Sequence, residues 1–407
     1  MKKLELLAPA GDLEKLKIAV DYGADAVYFG GEMFSLRAGA GNLSIEEIRE
    51  GVEYAHSRNV KCHMTFNIFA HNEDIGPLKT YIDKIKDIPV DAFIVSDPGI
   101  IDIIKGAVPD AELHLSTQAN MTNYATARFW YRQGIKRIVL ARELTFDEIR
   151  QIRQHIPESM ELETFVHGAM CISYSGRCLL SNFMINKDAN RGQCSHPCRW
   201  KYQLMEEKRP GEYFPVEEDE RGTYIMNSKD LCMLEHIPEI IQSGVTSAKV
   251  EGRMKSVFYV ATVVNAYRRA IDAYYRDPEN YVFDRKWMEE LKKASHREFT
   301  TGFYFRRPAD EGQNYRTSDY TREYSFTGMV KSYDEKTGMA TVEQRNKMVI
   351  GDEIEVFGPD REFFSQKLSV LQNEDGEDID SAPHPQQILR IKMDQPVREQ
   401  YMLRKKK

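Results

Sequence analysis

Apolar residues recur along the first two thirds of the chain in short runs, each followed by a polar connection and then an amphipathic stretch. The runs are Leu4-Glu-Leu-Leu, Ala26-Val-Tyr-Phe, Cys62-His-Met-Thr-Phe, Ala92-Phe-Ile-Val, Leu113-His-Leu, Arg137-Ile-Val-Leu, Leu162-Glu-Thr-Phe-Val and Ala248-Lys-Val. Between the first two, Leu13, Leu16, Ala19 and Val20 repeat at helical spacing. Ser44 with Glu47 and Thr145 with Glu148 fit capping boxes, and Gly23 and Gly134 stand where helices should stop. Strand and helix alternating in this way predict a parallel sheet. Eight such units in about 250 residues favour a closed (β/α)8 TIM-like barrel over an open doubly wound sheet.

The eighth unit breaks the rhythm. Roughly eighty residues separate strands seven and eight, against about thirty for the earlier spacings, and connections this long are usually functional. Five of the six cysteines fall in or beside this excess: Cys171, Cys178, Cys194, Cys198 and Cys232, separated by 7, 16, 4 and 34 positions. Ser228 and the residues after it read as the cap and first turns of a delayed seventh helix ending at Gly244. That reading places Cys232 where a helix dipole favours a thiolate.

Beyond strand eight, Val257–Tyr275 and Arg285–Ser295 have helical periodicity. From Tyr324 the pattern changes to short alternating runs with turn signals, a small C-terminal all-β, barrel-like domain. The expected division is a barrel over 1–296, carrying the cysteine insertion at about 168–232, then a linker over 297–323 and the β domain over 324–407. The β domain has thirteen Lys and Arg against fifteen Asp and Glu, so it is not a basic module, and the Arg404-Lys-Lys-Lys end reads as a solvated tail.

Composition changes this picture little. At 407 residues, with 42% hydrophobic and 29% charged positions, the chain can bury a large core, and its apolar runs are too short to span a membrane. A cytoplasmic location is expected, in which the cysteines stay as thiols. The net charge of -7 argues against coating nucleic acid by bulk charge. Residues 171 to 210, however, hold seven Lys and Arg against three acids, a local balance that suits an anionic partner.

If the barrel closes, the residues after each strand surround one mouth. They include Asp12, Arg37, Asn67, Gln118, Arg142, Glu143, His167, Glu251 and Arg253, a polar set suited to a small molecule. Asp12 is equally a candidate cap for the first helix. Arg37, Arg142 and Arg253 are candidates for holding a carboxylate by bidentate geometry. Glu251, Gln118 and Asn67 are candidate catalytic residues that orient a substrate. The cysteine spacing matches no zinc ribbon or ferredoxin run, and it leaves a 4Fe-4S cluster, zinc and unliganded thiols all open. Cys62, alone inside a strand, reads as core.

The run Glu163-x-Phe-x-x-Gly168-Ala-Met-Cys171-x-x-x-x-Gly176-x-Cys178-x-Leu-Ser181 resembles the signature of the collagenase-like peptidases, family thirty-two of the unknown catalytic type. The opening Leu-Leu-Ala-Pro-Ala-Gly, Tyr28-Phe-Gly-Gly and Lys249-Val-Glu-Gly-Arg253 extend the resemblance over nearly the whole chain. Members with this layout resemble a branch that acts with prephenate to convert wobble uridine in tRNA to 5-hydroxyuridine. Shorter relatives serve oxygen-independent hydroxylation in ubiquinone synthesis and carry a 4Fe-4S cluster. The resemblance implies Cys171, Cys178, Cys194 and Cys232 as cluster ligands and leaves Cys198 without a role. It also implies tRNA and a small anionic cosubstrate as partners, with a shorter paralogue of the same family as a candidate protein partner and no membrane. A zinc peptidase and a cluster-bearing RNA-binding or assembly factor are the competing expectations. No H-E-x-x-H or G-x-S-x-G motif supports the peptidase.

Overall fold

The structure, a computed structural model, describes residues 3–36, 41–171, 173–200, 203–204, 214–215, 227–307, 313–314 and 320–407. Eight parallel strands close into a barrel: β1 (Glu5–Pro9), β2 (Ala26–Phe29), β3 (Lys61–Phe66), β4 (Ala92–Val95), β5 (Leu113–Leu115), β6 (Arg137–Val139), β7 (Glu161–Ala169) and β8 (Ser247–Val250). Each pairs with its successor up to β7, and β8 bonds to both β7 and β1, which completes the ring. Helices cover the outside and side chains fill the inside, so most strand positions are buried on both faces and read as apolar runs. The alternation in the sequence therefore does correspond to a TIM-like barrel.

The helices of the ring are α1 (Leu13–Asp21), α2 (Ile45–His56), α3 (Asn72–Ile85), α4 (Pro98–Ala107), α5 (Tyr124–Arg132) and α6 (Phe146–Gln154). Both expected capping boxes form. Ser44 Oγ accepts from Glu47 N at 3.2 Å and Thr145 Oγ1 from Glu148 N at 3.3 Å, with each glutamate returning the bond. Asp12 caps α1, its Oδ1 accepting from Lys15 N at 2.9 Å.

Within the insertion, α7 (Leu180–Ile185) is a short helix. The delayed helix expected from Ser228 begins later, as α8 (Ile237–Gln242). Asp230–Cys232 is instead a strand, antiparallel to the far half of β7 and parallel to Phe299–Thr300. The apolar run Leu231-Cys232-Met233-Leu234 satisfies either period, and a β7 edge left open beyond β8 offers backbone partners that a lone helix start lacks.

The helix α9 (Val257–Arg276) is buried along its first two turns and more, Val257–Val264, because it lies between barrel and β domain. Phe258 stacks on Phe326 with ring centres 5.6 Å apart. A further helix, α10 (Arg285–Lys292), follows. The C-terminal domain is built on β9 (Tyr324–Asp334), β10 (Met339–Gln344), β11 (Glu353–Gly358), β12 (Arg361–Lys367), β13 (Leu371–Gln372), β14 (Ile388–Lys392) and β15 (Met402–Lys406). They form one sheet in the order β12-β11-β15-β9-β10-β14-β13. The expected solvated tail is thus an inner strand. Arg404 is fully buried and donates to Glu355 and Glu290, each at 2.7 Å, which joins the β domain to α10. No helix among the described residues is long and apolar enough to cross a membrane.

Candidate functional site

A cavity of about 810 Å³ opens at the C-terminal ends of the barrel strands. Its floor is made of residues from six of them, Tyr28, Thr65, Ile94, Val139, Phe165 and Lys249, with Ser116 directly after β5. The cysteine insertion forms one wall, and Tyr320, Arg322, Phe326 and Lys407 bring the C-terminal region to its edge.

Of the nine rim residues named from the sequence, Asn67, Gln118, Arg142, Glu251 and Arg253 line this cavity, whereas Asp12, Glu143 and His167 are not part of its lining. Arg37 lies outside the described residues. Asn67 Nδ2 donates to Ser116 Oγ at 3.3 Å and to Gln118 Oε1 at 3.4 Å, and Asn67 Oδ1 accepts from Leu36 N at 3.2 Å. Ser116 also donates to Gln118, so two amides and a hydroxyl form one polar surface.

Arg142 is almost wholly buried and donates through Nη1 to the Ala169 carbonyl. Its guanidinium carbon stands 3.8 Å from the centre of the Phe165 ring. Its Nε meets no hydrogen-bond acceptor among the described residues, a donor at the cavity wall with capacity to spare. Arg253 donates to Ser35 Oγ at 2.6 Å, the Leu36 carbonyl at 2.7 Å and Asn42 Oδ1 at 2.5 Å, which pins both ends of the β2–α2 loop to the mouth.

Glu251 follows β8, its N–H donating to the His167 carbonyl at 2.9 Å. The approach depends on Gly168, whose φ is +107° and where a Cβ would meet the Glu251 carbonyl oxygen at 2.6 Å. His167 is kept neutral. Burial lowers its pKa to about 3, with Lys255 and His296 adding to the effect and Glu251 opposing it.

Lys249 is a functional candidate that the motif reading passed over. It is 4% exposed, with Nζ 2.7 Å from Glu163 Oε1 and 4.3 Å from the centre of the Tyr28 ring. Burial raises the Glu163 carboxyl, but Lys249, Arg137 and His114 together hold it below the usual carboxylate range. The sequence signal was available: a lysine at an inward position of one strand, beside a glutamate at an inward position of the next.

The expected 4Fe-4S cluster, with zinc as its alternative, is overturned by the donor set. Among the described residues, no three or more His, Cys, Asp or Glu side chains are placed to hold a metal ion. Cys171, Cys178, Cys194 and Cys198 all line the cavity. Cys178 Sγ accepts from Leu180 N at 3.4 Å, and Cys194 Sγ lies 3.9 Å from Ser181 Oγ. Cys232 is buried in its own strand, opposite His167. Burial there pushes its thiol up to about 12, the reverse of the thiolate that a helix start would favour.

Residues 11–314 match the model of peptidase family U32, and residues 322–404 match that of the peptidase family U32 C-terminal domain. The chain is 46% identical over 406 residues to tRNA hydroxylation protein P1 of Bacillus subtilis (strain 168), spanning 100% of this chain and 96% of that one. It is 37% identical over 430 residues to tRNA hydroxylation protein P of Escherichia coli (strain K12), spanning 94% and 92%. A collagenase of Porphyromonas gingivalis (strain ATCC BAA-308 / W83) is 33% identical over 381 residues, spanning 91% and 90%. With both its barrel and its C-terminal domain matched, the chain belongs to peptidase family U32 and is an enzyme of that family.

Proposed function

We propose that this enzyme modifies tRNA, hydroxylating uridine at C5 in the wobble position with the help of a small carboxylate-bearing cosubstrate. The observation that carries the reading is the cavity itself, which sets a buried guanidinium, Arg142, beside the amide surface of Asn67 and Gln118. Arg142 serves the carboxylate. Asn67 and Gln118 offer amide donors and acceptors of the kind that pair with a uracil edge, and Glu251, directly after β8, lines the same cavity. Arg253 acts from the same wall while holding the β2–α2 loop. Lys255, Arg322 and Lys407, which also line the cavity, suit phosphates. The names of the two tRNA hydroxylation relatives support the same substrate.

The test is nucleoside mass spectrometry of tRNA from a strain lacking the gene. Nucleosides derived from 5-hydroxyuridine should disappear, return with the wild-type gene, and stay at least tenfold low with Arg142→Ala. Unchanged levels in the deletion strain would overturn the reading. The collagenase relative supports a second one, peptide hydrolysis, for which gelatin cleavage by the purified protein is the direct assay.

A further inference from the structure

The interior of the barrel holds more charge than a packed core usually does. Arg137 on β6 donates to Glu161 at 2.6 Å and Glu163 at 3.2 Å, both on β7, and also reaches Glu5 on β1. Ser247 Oγ donates to Glu5 at 2.9 Å. Lys249, two positions along β8, takes this network up to the cavity through its bond to Glu163. Its Nζ lies 5.6 Å from the centre of the Phe165 ring, the same ring that Arg142 stacks against at 3.8 Å. A primary amine and a guanidinium whose Nε meets no acceptor among the described residues therefore both approach the Phe165 ring in the lining of one cavity.

We propose that Lys249 is a covalent catalytic residue, whose amine condenses with the carbonyl of a 2-oxo carboxylate while Arg142 holds that ligand's carboxylate. The proposal rests on the function above for the carboxylate of the cosubstrate and adds the carbonyl beside it. An ion pair alone is a poor reason to bury a lysine here, because desolvating two charges offsets most of their attraction. An amine next to a fixed carboxylate in a space that admits a ligand has a further use. Burial lowers the amine from the usual lysine range, with Glu163 opposing the shift, which brings its proton nearer to release.

The step balances without oxidant or reductant. The Lys249 ammonium gives a proton to Glu163, and the freed lone pair on Nζ attacks the carbonyl carbon. The C–N bond forms as the carbonyl π bond breaks, and an N–H proton passes from the attacking nitrogen to the carbonyl oxygen, giving a neutral carbinolamine. Glu163 then returns its proton to the hydroxyl, the C–O bond breaks, water leaves, and a protonated imine remains. The pair begins as ammonium and carboxylate, is neutral at the carbinolamine, and ends as iminium and carboxylate.

Borohydride trapping tests this on the purified full-length protein. It should be incubated with pyruvate or phenylpyruvate, reduced, and analysed by intact mass and peptide mapping, with lactate as the ligand that lacks the carbonyl. The expected result is one reduced adduct on Lys249 with each oxo acid and none with lactate. In Lys249→Arg, which keeps the charge without the nucleophile, the adduct should be lost. No adduct on the wild-type protein, or an adduct mapped to other lysines, overturns the proposal whether or not the variant folds. The assay contains no RNA, so the two readings fail separately. An adduct with unchanged tRNA nucleosides sinks only the RNA function, and lost nucleosides without an adduct sink only the role of Lys249.

Discussion

Arg253 shows how one side chain can shape a site largely through what it fastens. Its nearly buried guanidinium is shared among Ser35, Leu36 and Asn42, so the loop after β2 is held at the cavity edge by a cation from β8's end. A lysine there keeps the charge and loses the planar fork. Arg253→Lys should lower stability by about 2 kcal/mol, read as a shift in the urea midpoint, because acceptors are left unmet in the interior. Arg253 could be picked out from the sequence as the arginine closing a Glu-Gly-Arg turn after a strand. Its partners could not, since Asn42 and Ser35 lie more than two hundred positions away and become neighbours only when β8 meets β1. For Lys249 the strand position is legible in the sequence, whereas its bond to Glu163 on β7 depends on the pairing of β7 with β8.

At the level of elements, local signals were the legible ones. The strands read as apolar runs because both faces are covered, and the helices announce themselves by their caps. Thr145→Ala removes the side chain that receives the Glu148 N–H, and should cost about 1 kcal/mol in thermal or urea unfolding. The helix expected from Ser228 does end before Gly244, but its start differs because the partners of Asp230–Cys232 are remote. Asp230–Cys232 is a strand by virtue of Ala169, Gly168 and His167 on one side and Phe299 and Thr300 on the other, none adjacent in sequence. Moving Cys232 from a helix start into that strand also reverses the expected chemistry of its thiol, which burial keeps protonated. Cysteine spacing alone carried no information about which thiols converge.

For the whole molecule, the buried histidines set the response to acid. The pKa of His167 falls from 6.5 to about 3 on folding, mainly through burial. His63 and His114 are also lowered, chiefly by burial. The unfolded chain therefore binds protons that the folded chain refuses once the pH drops below about 6.5. Stability is complete above that value and declines as the pH falls, by up to about 1.4 kcal/mol per pH unit for each histidine. Urea midpoints at pH 7.5 and 5.5 should show this loss, and equal midpoints would contradict it. The joint between domains resists better, since the apolar stack of Phe258 on Phe326 does not titrate. The position of β15 has a practical consequence. It occupies an inner place in the sheet, between β9 and β11, and Lys407 directly after it lines the cavity. A bulky group attached to the Lys407 side chain is therefore delivered to the rim of the pocket that Cys171 and Cys194 also line.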